Sequence, residues 1–250
     1  MDLQSASQLT RLAPEFAAKE HHLAAAILLG EATLAGVNNA GTWYVFGVEL
    51  FRSAGVLVRK PFFEWSARCL KRAVALVQDP ELEELATEGL MDLSSQVNVD
   101  SLTAIEDDEL ESLLAFLDID INTFPKAISA LPEDQRGYAL MVMGDHGSPR
   151  FLPVMLSALR GVWGDYPARV ALKRLGNFGD TPEIRETLEV IVFSPRSRDY
   201  QPYLRMAMER IDPEWAMDLL YEAEQAREEN DPDYPEDYGG NRPWWRFWNR

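Results

Sequence analysis

The stretch "RVALKRLGNFGDTPEIRETL" (Arg169–Leu188) decides the fold. Behind Thr181, the apolar residues Ile184, Leu188, Ile191 and Val192 recur at the spacing that puts them on one face of a helix. Glu183, Glu186 and Glu189 fall on the other side. Thr181-Pro182 opens this helix. A threonine caps the first turn, and proline is tolerated where its missing N–H would be unpaired anyway. The same device recurs at Asp79-Pro80, Ser148-Pro149 and Asp212-Pro213. Lys60-Pro61, Leu131-Pro132, Tyr166-Pro167 and Gln201-Pro202 place proline similarly without a capping side chain. Strand signals are scarce, so the chain is expected to be short helices joined by tight turns.

The stretch also has copies. "GYALMVMGDHGSPRFLPVML" (Gly137–Leu156) aligns with it at a spacing of 32, setting Ala139 on Ala171, Met143 on Leu175, Gly144 on Gly176 and Gly147 on Gly179. A third copy, "RMAMERIDPEWAMDLL" (Arg205–Leu220), puts Ala207 and Ile211 in the places of Ala171 and Leu175. A fainter one, "RAVALVQDPELEEL" (Arg72–Leu85), does so with Ala73 and Val77. Each copy has one physical logic: a small residue lets two helices approach, a large apolar residue ends the first helix, glycine permits the turn, and proline starts the second helix.

These residues resemble the HEAT-like repeats of the phycobilisome-lyase type, whose pattern joins Ala-x3-Leu-Gly to a Gly-Asp-x-Pro turn. "ALKRLGNFGDTPEI" fits well, "ALMVMGDHGSP" in part, and "AMERIDPEW" only at the helix end and the proline start. The resemblance covers roughly residues 130–225. It implies an all-α solenoid of stacked helical hairpins, with the second helix of each repeat on the inner face. The common work of such an array is to bind other macromolecules over an extended surface.

On this reading, residues 1–60 form a helical N-terminal cap and 61–226 the repeats. Residues 227–241 form an acidic, Pro-rich linker, and 242–250 a flexible Trp/Arg-rich peptide. Gly36–Gly55, with Trp43, Tyr44, Phe46 and Phe51, is expected to be a closely packed helix pair or a short strand. Ile105–Ile121 is expected to be an acidic-capped amphipathic helix, and residues 62–77 a helix that buries Cys69.

Net charge is −17, and the last ten residues contain three arginines and no acid, so residues 1–240 carry −20. A field of that sign repels phosphate backbones, which argues against nucleic-acid binding, and attracts a basic partner. The single cysteine excludes an intrachain disulfide and a Cys-rich zinc site. The beginning of the chain does not resemble a signal peptide, and the apolar run Leu23–Val37 is interrupted by Glu31 and too short to span a bilayer. A cytoplasmic location is expected.

Motifs for chemistry are sparse. Asp118-x-Asp120-x-Asn122 opens like a calcium loop, but Thr123 and Ser129 stand where that loop needs Gly and Glu. His21 and His22 point about 100° apart on a helix and cannot both face one metal. No histidine is followed by the Glu of the His-Glu pairs found in di-iron hydroxylases built from related repeats. There is no nucleophile elbow, no phosphate-binding loop and no His-Glu-x-x-His. No catalytic residue, metal or cofactor is assigned, and the chain is expected not to be an enzyme. Fold resemblance alone keeps a chromophore-lyase-like activity as a lesser alternative.

What remains is surface. The second helices carry Glu183, Glu186 and Glu189, then Glu214, Asp218 and Glu222. Like charges at this spacing cost a few tenths of a kcal/mol per pair, a cost that binding a basic protein partner would offset. Solubility is the plainer use of the same charges. At the C-terminal end, Trp244, Trp245, Arg246, Phe247 and Trp248 combine large apolar faces with cation–π capability. Docking into a protein groove, capping the last repeat and peripheral membrane contact are the three uses open to it. The expected function is capture of a basic protein, in its most concrete form an immunity-type inhibitor of a cationic toxin. The alternative is an adaptor or chaperone scaffold that docks a partner or membrane through the Trp/Arg peptide.

Overall fold

The computed structural model describes residues 3–57, 60–117, 123–160, 163–194 and 197–230. Those residues form only helices and connecting turns: α1 (Leu3–Ala17), α2 (His22–Leu34), α3 (Ala40–Leu57), α4 (Lys60–Leu76), α5 (Pro80–Leu93), α6 (Leu110–Leu117), α7 (Thr123–Ser129), α8 (Glu133–His146), α9 (Leu152–Leu159), α10 (Asp165–Leu175), α11 (Pro182–Val192), α12 (Ser197–Ile211) and α13 (Pro213–Asn230). Neighbours in sequence pack as pairs, so the all-α, solenoid-like arrangement is present. The 118–122 calcium-like motif and the peptide 242–250 lie outside the described residues.

The capping chemistry is as the sequence implies. Asp79 accepts a hydrogen bond from the Glu81 N–H at 3.0 Å, Ser148 from Arg150 at 3.4 Å and Thr181 from Ile184 at 3.3 Å. Asp212 accepts from both Glu214 and Trp215 at 3.1 Å. Such caps are each worth about 1 kcal/mol. Pro202 departs from this pattern. It lies inside α12, which starts five residues earlier at Ser197. The stretch Gly36–Gly55 also differs from expectation, since its core is one helix, α3, rather than a pair or a strand. Ser66 of α4 donates to the Gly47 carbonyl at 2.7 Å, and that bond holds α3 against α4.

The repeat glycines divide into two kinds. Gly147 and Gly179 have φ of +73° and +78° and serve the turns. Gly144 and Gly176 do not bend the chain. A β-carbon on Gly144 would lie 2.6 Å from Cβ of Arg174, and one on Gly176 would lie 2.7 Å from Cβ of Arg210. The 32-residue spacing thus repeats a contact: each first helix presents a bare backbone to the arginine of the next. Ala139, Ala171 and Ala207 are buried along the same row. α8, α10 and α12 form one layer, and α9, α11 and α13 the second.

The N-terminal helices join this stack through its first row. α1 packs against α8, α2 against α6 and α7, and α3, α4 and α5 follow outward from α2. The first five helices therefore run in the reverse direction from the repeats, away from the α1–α8 contact. The chain returns along α4 through residues 94–109. Lys71 Nζ donates to the Leu102 carbonyl at 2.7 Å, Arg72 pairs with Asp107 at 3.0 Å, and Arg68 pairs with Glu109. The Glu106 N–H donates back to Glu109 at 2.9 Å, completing the acidic cap expected before α6. The basic cluster around Cys69 is occupied by this return segment. Cys69 itself is fully buried, and burial pushes its thiol far above the ordinary range despite nearby Arg68.

Gly176→Ala is expected to cost about 1–3 kcal/mol through overpacking against Arg210, with Gly144→Ala costing a similar amount against Arg174. Urea unfolding measures both, and a loss below about 0.5 kcal/mol, the scatter of ordinary surface substitutions, would contradict the close approach.

Candidate functional site

Along the second layer, α9 and α11 leave a groove of about 680 Å³. Its floor is apolar, made by Leu152, Pro153 and Leu156 of α9 with Val190 and Ile191 of α11. Glu183 and Glu186 stand on the α11 side, and Arg160 closes one part of the rim. On α11 the buried stripe is Ile184, Leu188 and Val192. Ile191, expected on that stripe, is only half-buried and faces the groove. Val190 is 67% exposed. This floor is wider than the sequence pattern alone indicates.

The six predicted acids occupy different places. Glu183 and Glu186 line the α9–α11 groove, while Glu214 lines a smaller one on the outer flank of α13. Glu189, Asp218 and Glu222 are exposed and line neither. What unites the six is that they have no counter-ion among the described residues. Among the described residues none of them makes an ion pair, whereas other acids of the same repeats do: Asp145 with Arg174 at 2.8 Å, Asp180 and Asp212 with Arg185 at 2.6 and 3.1 Å, and Glu209 with Arg205 at 2.5 Å. Arg185 also stacks 4.6 Å from the Trp215 ring, fastening α11 to α13. Its guanidinium and both carboxylates are stabilised in their charged forms, mainly by these hydrogen bonds and, for Asp212, first by the Trp215 N–H. Arg174, Arg185 and Arg205 are thus spent on structure, Arg160 stays exposed on the groove rim, and the unpaired charges on α11 and α13 are negative among the described residues.

Behind the groove sits a buried polar cluster that sequence reasoning did not assemble. Glu31 of α2 is 0% exposed, and its carboxylate accepts from Arg150 at 2.8 Å. Arg150 also pairs with Glu111 at 2.7 Å and lies in the short 3-10 turn Pro149–Phe151 that leads into α9, so this contact ties the start of α9 to α2 and α6. Burial raises the Glu31 carboxyl above its ordinary range, opposed by Arg150 and Ser148. The available signal was Glu31 itself, one acid inside an apolar run, which in a folded chain implies a buried partner.

His146 lies beside this cluster, 6% exposed, with its ring 5.7 Å from that of Phe151. Neither ring nitrogen has a hydrogen-bond partner among the described residues. Burial lowers its pKa, opposed by the nearby Glu31 backbone, and so favours the neutral ring. His22 is placed elsewhere, with Nδ1 2.7 Å from Glu49. Among the described residues no group of three His, Cys, Asp or Glu is arranged to hold a metal, and no helix is long and apolar enough to cross a membrane.

Comparison of the chain with protein-family profiles, with characterised proteins and with solved structures gives no match.

The lowered pKa of His146 has a definite sign. The unfolded chain binds a proton there more readily than the folded one, so stability is lost as pH falls below about 6.5, the ordinary histidine range. His146→Leu is expected to flatten the loss of unfolding free energy between about pH 6.5 and 5. An unchanged pH profile in that variant would contradict the assignment.

Proposed function

We propose that this chain is a non-catalytic binding protein that captures a basic protein partner, using the groove between α9 and α11 and the acidic faces beside it. The observation that carries the reading is the set of exposed carboxylates, without counter-ions among the described residues, next to a partly exposed apolar floor. Carboxylates already held by Arg174, Arg185 and Arg205 are satisfied within the fold. Glu183 and Glu186 are not, and they stand where a partner's cations would reach them while its apolar side chains fill the groove. Charge of this kind sets encounter rate and selectivity, and apolar burial supplies affinity. A net charge of −17 extends the attraction beyond contact distance.

The HEAT-like resemblance supports the same reading, because stacked hairpins offer extended surfaces rather than enclosed catalytic pockets. In its most concrete form the chain is a cytoplasmic immunity-type inhibitor that neutralises a cationic toxin. The charge balance favours a toxin with a basic active surface, such as a nuclease, whose nucleic-acid site an acidic protein can occupy.

The test uses the full chain as bait for the product of the adjoining gene and for proteins of its native extract. The expected result is one basic partner, bound more weakly as salt rises. Glu183→Lys with Glu186→Lys is expected to weaken it roughly ten- to thirty-fold, from two exposed pairs each converted from attraction to repulsion. Asp218→Lys with Glu222→Lys, outside the groove, is expected to cost less. A partner held equally by the groove variant, or held without salt dependence, would overturn the proposal.

A further inference from the structure

The pair α12–α13 ends the described stack, and its outer flank meets no other described helix. A groove of about 350 Å³ lies there, formed by Pro213, Ala216, Met217 and Leu220 with Glu209 and Glu214 on its rim. Met217 is 45% exposed and Met206, on α12, 40%. Open apolar flanks at the ends of helical stacks need a cover, which terminal repeats usually provide through a polar outer face. Here α13 carries methionine and leucine on that side instead.

We propose that the cover is the segment Pro243–Trp248 of the same chain, seated in this groove with an indole of Trp244, Trp245 or Trp248 against Met217 and Leu220. Three observations identify that occupant. Within residues 231–250, the large apolar side chains other than two tyrosines are confined to Trp244, Trp245, Phe247 and Trp248. The remainder is mostly acid, proline, glycine and asparagine. Charge is complementary, because Arg242, Arg246 and Arg250 meet a rim on which Glu214 has no counter-ion among the described residues. Among the described residues that line the groove, the cation is Arg205, and it is paired with Glu209 at 2.5 Å.

Reach is sufficient. α13 runs about 20 Å from Met217 to its end at Asn230, at 1.5 Å per residue. Fourteen steps separate Asn230 from Trp244, and they span up to about 46–50 Å when extended. The chain therefore turns back over the groove with length to spare. Attachment at the end of α13 also gives the segment a local concentration on the order of millimolar, which favours the chain's own groove over that of a second copy. This inference stands apart from the proposed function, since the α9–α11 groove is left open for a partner.

Methionine-methyl NMR on the full chain tests the proposal, with Met217 assigned through Met217→Leu and buried Met155 as reference. The expected result is a Met217 methyl shifted upfield by the indole rings, unchanged on dilution. In Trp244→Ala/Trp245→Ala/Trp248→Ala it moves to the position of a solvent-exposed methionine, while Met155 stays in place. A Met217 methyl already at the exposed position in the full chain, or unmoved by the triple variant, would overturn the proposal. So would an upfield shift lost on dilution, which would place a second copy in the groove. Cosedimentation with anionic phosphatidylglycerol vesicles while Met217 remains exposed would assign the segment to membranes and likewise overturn it.

Discussion

The buried pair Glu31–Arg150 is the contact on which the rest of the arrangement depends. Glu31 sits on α2, whose residues from Ala24 to Thr33 are all buried, so no face of that helix is left for water. A helix apolar all round must lie inside the molecule. α2 does so by packing between α1 and α3 on one side and α6 and α7 on the other. Its one carboxylate would be very costly there without a partner. Arg150 supplies the partner from the turn before α9, and the helix that lines the groove is thereby tied to the centre of the N-terminal helices.

This tie explains why the two halves of the chain, so different in sequence, form one body. The repeats grow outward from α8 by the approach of Gly144 to Arg174 and of Gly176 to Arg210. The N-terminal helices grow the other way from α2, and the return segment along α4 brings α6 back to meet them. Three arginines of the repeats are consumed in such joints: Arg174, Arg185 and Arg210 hold neighbouring elements together. Acids outnumber arginines in the repeats, and six of the exposed ones lie on α11 and α13.

Much of this was legible beforehand, because short-range chemistry is written locally. The caps at Asp79, Ser148, Thr181 and Asp212 and the repeat spacing of 32 each depend on a few adjacent residues. The start of α12 was not legible, since Pro202 looks like a first-turn proline while five helical residues precede it. Nor was the reason for Gly144 and Gly176. A turn glycine and a close-approach glycine look alike in one dimension, and only the neighbouring arginine tells them apart. The candidate site was partly legible. Glu183 and Glu186 could be placed on the outer face of their helix, but the groove floor needs Leu152 and Leu156 from a different hairpin. The partnership of Glu31 with Arg150 spans 119 residues and leaves only the lone acid in an apolar run as its trace.

Whether this one buried pair fixes α9 against the N-terminal helices is measured by a double-mutant cycle in unfolding free energy. It compares Glu31→Gln, Arg150→Met and the double variant with the parent chain. A coupling energy above about 1 kcal/mol is expected, as for groups in direct buried contact. Arg150→Met, which strands the buried Glu31 carboxyl, is expected to be less stable than the double variant, whereas in Glu31→Gln the arginine keeps Glu111 as its partner. Coupling within about 0.5 kcal/mol of zero, with the two single effects simply adding, would contradict that role of the pair.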